Sequence, residues 1–167
     1  MKTSKYWIDE LELLPHPEGG YFKEVYRSSE EIDSGALPSR FKGNRSFCTS
    51  IYFLLEKGQF SAFHRIKSDE TWHYYDGDPL TIYVINSQGK LDLFKLGLDP
   101  KNNFLPQVII PANCWFASKS NGDFTLVGCT VSPGFDFHDF TMANRDKLIN
   151  QFPDLINEIK QFTLGDK

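Results

Sequence analysis

Cysteine is scarce in this 167-residue chain: Cys48, Cys114 and Cys129 are its three, and no two stand in CxxC spacing. That spacing excludes a disulfide framework or a sulfur-rich metal knuckle, and free buried thiols are expected. No run of 18 apolar residues occurs, and the opening MKTSKYWIDELEL mixes charges into the stretch where a secretory signal needs unbroken apolar sequence. A cytoplasmic protein with no membrane partner is expected. Basic residues are outnumbered, 18 Lys and Arg against 22 Asp and Glu for a net charge of −4, and they are scattered. Phosphate backbones need a basic patch, so nucleic acid is not an expected partner. Repeats, low-complexity tracts and linkers are also missing, and the length suits one core, so residues 1–167 are read as a single domain.

What the chain has in excess is rings. Aromatic residues make up 15%, with 15 Phe, more than an ordinary core requires. From Tyr21 to about Val131 the pattern is strand, turn, strand: GYFKEVYR, SFCTSIYFLL, QFSAFHRI, ETWHYY, LTIYVI, LDLFKLG, PQVIIPA, CWFAS and FTLVGCTV. Lys57-Gly58, Asp76-Gly77-Asp78-Pro79, Gln88-Gly89 and Asn121-Gly122 punctuate them. Many short strands at this spacing predict an all-β sandwich or barrel. Short helices are expected at both ends: one with Trp7, Leu11 and Leu14 on a stripe behind a Ser4 cap, the other with Leu155, Ile156, Ile159 and Phe162 on a stripe and Pro153 at its start. The polar SSEEIDSGALPSRFKGNRS is read as the most mobile loop.

In the middle strands Gly58 is followed after five residues by His64, then Arg65 and Ile66, then after three more Glu70, and after six more Gly77. This resembles the first motif of the cupin superfamily, Gly, five residues, His-x-His, three or four residues, Glu, six residues, Gly. Together with HPEGGYF, FHRIKSDETWHYYDGDPL, PANCWFAS and GCTVSPGFDFHDF, the chain looks like the Cupin_5 branch, a domain of unknown function whose members are commonly described as predicted sugar epimerases. The resemblance implies a cupin jelly-roll barrel or sandwich and a homodimer. In metal-binding cupins two histidines, the glutamate and a third histidine from a second motif hold the metal. Here Ile66 stands for the second histidine and Phe116 for the third, so no metal or other cofactor is expected.

Strand parity adds a physical reading. Residues two apart share a face, so His64 and Ile66 point one way and Arg65 the other. Glu70 opens the next strand and is expected to face His64 across the pair, followed inward by Trp72 and Tyr74, with His73 and Tyr75 on the opposite face. Without metal, His64 is available as a general base, oriented and stabilised by Glu70. The dTDP-sugar 3,5-epimerases, metal-free relatives of this fold, work that way, with a tyrosine returning the proton. Here Tyr52, Tyr74 or Tyr83 would have to serve, and Lys23, Arg27 and Arg65 are the candidate cations for a nucleotide diphosphate. Glu24, His73 or His138 are the candidates for a third metal ligand if a metal does bind.

The stretch LPHPEGGYFKEVYRSS is unusual because each face of its strand mixes apolar and charged groups. One reading is a strand crossing a barrel mouth, with Glu24 and Tyr26 reaching the pocket and Gly19-Gly20 letting the backbone pass close to a neighbour or ligand. The other is an edge strand guarded by charge, with HPEGG as turn chemistry. The functional expectation is a metal-independent sugar epimerase or isomerase acting on a small carbohydrate, sugar nucleotide or carbonyl compound, with His64 and Glu70 catalytic and Glu24, Tyr26, Tyr52, Trp72, Tyr74 and Phe116 binding the ligand. The alternatives are a cupin that binds a small molecule without chemistry and a metal-dependent enzyme with a reduced ligand set.

Overall fold

Alternating apolar positions build two facing antiparallel sheets in a computed structural model that describes residues 2–165. The strands are β1 (Leu14–Pro15), β2 (Tyr21–Arg27), β3 (Glu31–Ile32), β4 (Arg45–Ser46), β5 (Thr49–Glu56), β6 (Ser61–Arg65), β7 (Asp69–Gly77), β8 (Leu80–Ile85), β9 (Leu91–Leu96), β10 (Gln107–Ile110), β11 (Trp115–Ser120), β12 (Phe124–Ser132) and β13 (Thr141–Met142). The larger sheet runs β1-β2-β5-β12-β7-β10 and the smaller β13-β6-β11-β8-β9, while β3 and β4 form a separate pair. This is the all-β sandwich that the strand spacing predicts. Phe53, Leu55, Trp72, Leu80, Ile82, Val84, Phe116, Val127 and Cys129 meet between the sheets, the inward set of each strand.

Helices cover parts of the outer faces. The first, α1 (Ser4–Glu10), is capped by the Thr3 side chain, which accepts from the Tyr6 N–H, one residue ahead of the expected Ser4. Its Trp7 and Ile8 pack with Leu11 on Leu54 and Leu126 of the larger sheet, but Leu14 has already left the helix for β1 and is exposed. At the other end α2 (Arg145–Gln151) and α3 (Ile156–Gln161), the latter preceded by a 3-10 turn that starts at Pro153, lay Leu148, Ile159 and Phe162 on Phe63, Ile85 and Ala117 of the smaller sheet. Ile156 falls off that apolar stripe and stays exposed. Among the described residues no helix is long and apolar enough to cross a membrane.

Two departures from strict alternation position the site. In β2, Glu24 pairs with Ile51 and Tyr26 with Ser50, so Val25 is an extra residue that flips the parity of the strand's second half. Second, β6 and β7 lie in different sheets, so Glu70 approaches His64 across the interior of the sandwich and not across a strand pair as expected.

Candidate functional site

One end of the sandwich encloses a cavity of about 80 Å³, lined at its base by His16, Glu18, His64, Glu70, Trp72 and Cys129. Phe22, Ile51, Phe53, Ile66 and Val131 make its walls apolar, and Glu24, Arg27, Phe135, Phe137 and Phe140 also line it. By water-sized positions this is room for roughly half a dozen.

His64 comes from near the end of β6, opposite Phe116 of β11 and Met142 of β13. It is 3% exposed, and Phe116 lies against its ring with centroids 4.1 Å apart. Nδ1 donates to the Ala62 carbonyl at 2.8 Å, and Nε2 lies 3.2 Å from Oε2 of Glu18. Glu18, 6% exposed, is held in turn by Ser61, whose hydroxyl donates to Oε1 at 2.8 Å. Burial holds His64 below its ordinary value, with the nearby Glu70 and the Ala62 carbonyl pulling the other way.

Glu70, at the start of β7, is pushed up to about 7 by burial, against the pull of His64, and Glu18 adds to the rise. The Cys129 thiol and the Trp72 indole N–H face it and draw it back down. The indole falls short of a full hydrogen bond and is a buried donor without a partner. Burial beside Glu70 raises the Cys129 thiol well above its ordinary range, so it is un-ionised and not a nucleophile.

The turn before β2 delivers the residues that sequence reasoning passed over. His16 N–H donates to the Gly20 carbonyl, Gly19 N–H to the His16 carbonyl, and Ala62 N–H of β6 to the Glu18 carbonyl. The turn is thereby stitched onto the strand that carries His64. Gly19 and Gly20 have φ of +111° and +72°, and a Cβ there would lie 2.1 Å from the Phe60 carbonyl oxygen and 2.6 Å from that of Leu54. The glycines thus let the backbone pass its neighbours and turn His16 and Glu18 inward. The His16 ring packs edge-on against Phe22, 4.5 Å between centroids, and burial lowers its pKa. The signal in the sequence was a glutamate immediately ahead of two adjacent glycines.

Of the other expected site residues, Trp72 and Glu24 line the cavity and Phe116 stays behind it, against the rings of His64 and Trp72. Glu24 is held at the mouth by Arg27 at 2.7 and 2.9 Å. Tyr26 does not line the cavity, because the Val25 bulge turns it outward and puts Arg27 in its place; it is 54% exposed. Tyr52 packs on Tyr75 on the outer face of the larger sheet. Tyr74 is inward but beyond the cavity, its hydroxyl donating to the Gly77 carbonyl. Tyr83 lies on the outer face of the smaller sheet against Phe162. Among the described residues no tyrosine lines the cavity. Of the candidate cations Arg27 alone lines the cavity, paired with Glu24, whereas Lys23 pairs with Glu12 at 2.6 Å and Arg65 lies over the Trp115 ring on the outside.

The four-ligand metal set of the resemblance does not fit these residues. Ile66 and Phe116 offer no donor, and Nδ1 of His64 is committed to Ala62. Nδ1 of His16 accepts from the Glu18 N–H at 3.3 Å. His73 faces Thr130 in the larger sheet, outside the cavity lining, and His138 is exposed beside Asp136. Among the described residues no group of three or more His, Cys, Asp or Glu is arranged to hold an ion.

The mouth is built from the segment after β12. The Gly134 N–H donates to the Ser46 carbonyl, the Phe135 N–H to the Thr49 hydroxyl, and Arg27 to the Phe135 carbonyl. Asp139 anchors it from below, taking both Nε and Nη2 of Arg45 at 2.6 and 2.7 Å and Lys67 at 3.0 Å. Arg45 and Asp139 are each 4% exposed.

The family model Cupin_5, described as cupin superfamily (DUF985), matches residues 5–143. A Saccharomyces cerevisiae protein, "Uncharacterized protein YML079W", is 31% identical over 153 residues, covering 84% of this chain and 76% of its own. The crystal structure of protein SO0799 from Shewanella oneidensis superposes with a TM-score of 0.90 at 39% identity, over 99% of this chain and 100% of that one. A hypothetical protein from Leishmania major does so at 0.89 and 34%, over 98% and 100%. Oxalate decarboxylase from Bacillus subtilis, at 13% identity and a TM-score of 0.56 over 92% of this chain and 37% of that one, shares the fold alone.

Proposed function

The chain belongs to the Cupin_5 family of the cupin superfamily, and from that premise we propose that it is a metal-independent epimerase or isomerase that moves a proton within a small carbohydrate or carbonyl compound. The observation that carries this reading is that one cavity brings together a buried imidazole and a buried carboxyl raised to about 7. Two buried proton carriers, a carboxyl raised toward neutrality and an imidazole lowered from its ordinary value, suit proton abstraction beside a carbonyl and its return. His64 and Glu70 are the groups through which the proton passes. The cavity's size and the dispersal of Lys23 and Arg65 favour a compound of a few carbons over a sugar nucleotide.

The test is deuterium uptake by NMR when the protein is incubated in D2O with a panel of small aldoses, ketoses and keto acids. Exchange that is lost in His64→Ala and in Glu70→Gln is expected; no exchange across the panel sinks the catalytic reading. A second reading, binding without chemistry, is favoured by the six rings of Phe22, Phe53, Trp72, Phe135, Phe137 and Phe140 along the lining. It predicts saturable binding by calorimetry with no exchange.

A further inference from the structure

The 3.2 Å contact between Glu18 Oε2 and His64 Nε2 constrains where protons are. A carbonyl oxygen only accepts, so Nδ1 of His64 carries a hydrogen in every state because it faces the Ala62 carbonyl. A neutral imidazole therefore turns the lone pair of Nε2 toward Glu18. An ionised carboxylate there would set lone pair against lone pair, so a proton lies in the contact, on Oε2 or on Nε2. Oε1 is already occupied as the acceptor of the Ser61 hydroxyl. Nε2 is thus engaged and not free to act as a base on a substrate. Nδ1 of His16 is taken up as well, as the acceptor of the Glu18 N–H, which leaves Glu70 as the buried base facing the cavity, and beside it stands the unpartnered indole N–H of Trp72, 1% exposed.

We propose that Glu18 is the acid member of the site: the proton held between its Oε2 and Nε2 of His64 passes to the oxygen of a small α-hydroxycarbonyl compound while Glu70 moves the carbon-bound proton. This rests on the isomerase reading above and reverses the role expected for His64. Ionised Glu70 removes the proton from the hydroxyl-bearing carbon, and that C–H electron pair becomes the C=C bond of an enediol. The carbonyl π pair takes the proton of the Glu18–His64 contact. In the second half the contact recovers a proton from the other oxygen, which becomes the new carbonyl, and Glu70 gives its proton to the former carbonyl carbon. Protons and electrons balance without any oxidant or co-reactant. Trp72 has the free donor to hold a substrate oxygen during the exchange. A single carbon base that gives back to the neighbouring carbon makes an isomerase of the aldose–ketose kind, with no call for the tyrosine that the cavity lacks.

The groups that face the pair are His16 from the same turn, Glu70 from β7 and Cys129 from β12. From β11 and from the segment before β13 come Phe116 and Phe140, which do not titrate. Burial raises Glu18 and lowers His64, the directions that leave the shared proton on the carboxyl.

The experiment follows the His64 ring nitrogens by 15N NMR across pH in the wild type, Glu18→Gln and Glu18→Asp, beside deuterium exchange with glyceraldehyde and dihydroxyacetone. Expected is a step at Nε2 in the wild type as the shared proton leaves, kept in Glu18→Asp and absent in Glu18→Gln, with Nδ1 protonated throughout. Glu18→Gln is also expected to lower kcat by about 100-fold or more, with KM within about threefold. An Nε2 titration unchanged in Glu18→Gln, or undiminished exchange by that variant, overturns the proposal. Wild-type protein that exchanges neither compound removes the substrate half. Failure with these two alone leaves the broader isomerase reading to the wider panel, and the nitrogen titration still decides whether Glu18 holds the proton. Should Glu18→Gln not fold, Ser61→Ala weakens only the hold on Oε1 and is expected to shift the Nε2 step.

Discussion

Glu70 shows how one buried carboxyl ties stability to pH. Its pKa rises from 4.5 to about 7 on folding because burial penalises the anion. A folded value above the unfolded one means that stabilisation is fully present below pH 4.5 and is lost as pH climbs through 7. Glu70→Gln removes that loss, so at pH 8 the variant is expected to be more stable than the wild type, by up to ~3 kcal/mol, and at pH 4.5 little different. Urea midpoints at the two pH values check this, and an equal midpoint at pH 8 would sink it. Glu70 and His64 were legible as residues because the spacing from Gly58 to Gly77 survives in the chain. Glu18 was not, because HPEGG reads equally well as a turn. Its placement on the cavity lining depends on a close backbone crossing with β6 that local sequence does not encode.

At the scale of elements, parity is what sequence reads well and bulges are what it misses. The alternation in β6 placed His64 and Ile66 on one face and Arg65 on the other, and the structure agrees. In β2 the extra residue at Val25 exchanges Tyr26 for Arg27 at the mouth, and nothing in KEVYR announces it. Every strand read from the sequence is present, but which strands pair is a long-range property, which is why Glu70 was set beside β6 and not opposite it. The turn carrying Glu18 supplies a sharp test. Gly19→Ala sets a Cβ 2.1 Å from the Phe60 carbonyl at a positive φ, so a loss of at least ~2 kcal/mol and displacement of Glu18 are expected. Equilibrium denaturation and the Nε2 titration of His64 measure the two effects. The segment over the cavity supplies another: Asp139→Asn leaves Arg45 buried without its counter-charge, at a cost of about 3–5 kcal/mol. Faster amide exchange over residues 133–140 is expected to accompany that loss, and unchanged protection there would show that the ion pair does not anchor the mouth.

Over the whole molecule, the four buried groups of the cavity act as one balanced set. Burial raises Glu18 and Glu70 and lowers His16 and His64, so the fold prefers all four neutral. The two carboxyls stabilise the fold below 4.5 and lose that contribution as pH rises, through about 7 for Glu70. The two histidines stabilise it above 6.5 and lose theirs as pH falls through their lowered folded values. Between 4.5 and 6.5 the carboxyls keep protons that the unfolded chain gives up more readily, while the unfolded chain takes up imidazole protons more readily than the fold does. The two slopes oppose each other there. Asp139 adds an acid limit: burial raises it, but the hydrogen bonds from Arg45 and Lys67 outweigh that and hold it below 3.8, so its contribution fails only in stronger acid. The expected profile is a decline in stability as pH rises through about 7, the reverse of a protein whose carboxylates are stabilised as anions. Urea denaturation at half-unit steps from pH 4 to 9 measures it. The double variant Glu18→Gln, Glu70→Gln is expected to flatten the alkaline side, and a wild-type maximum at pH 8 would show that these carboxyls are ionised in the fold.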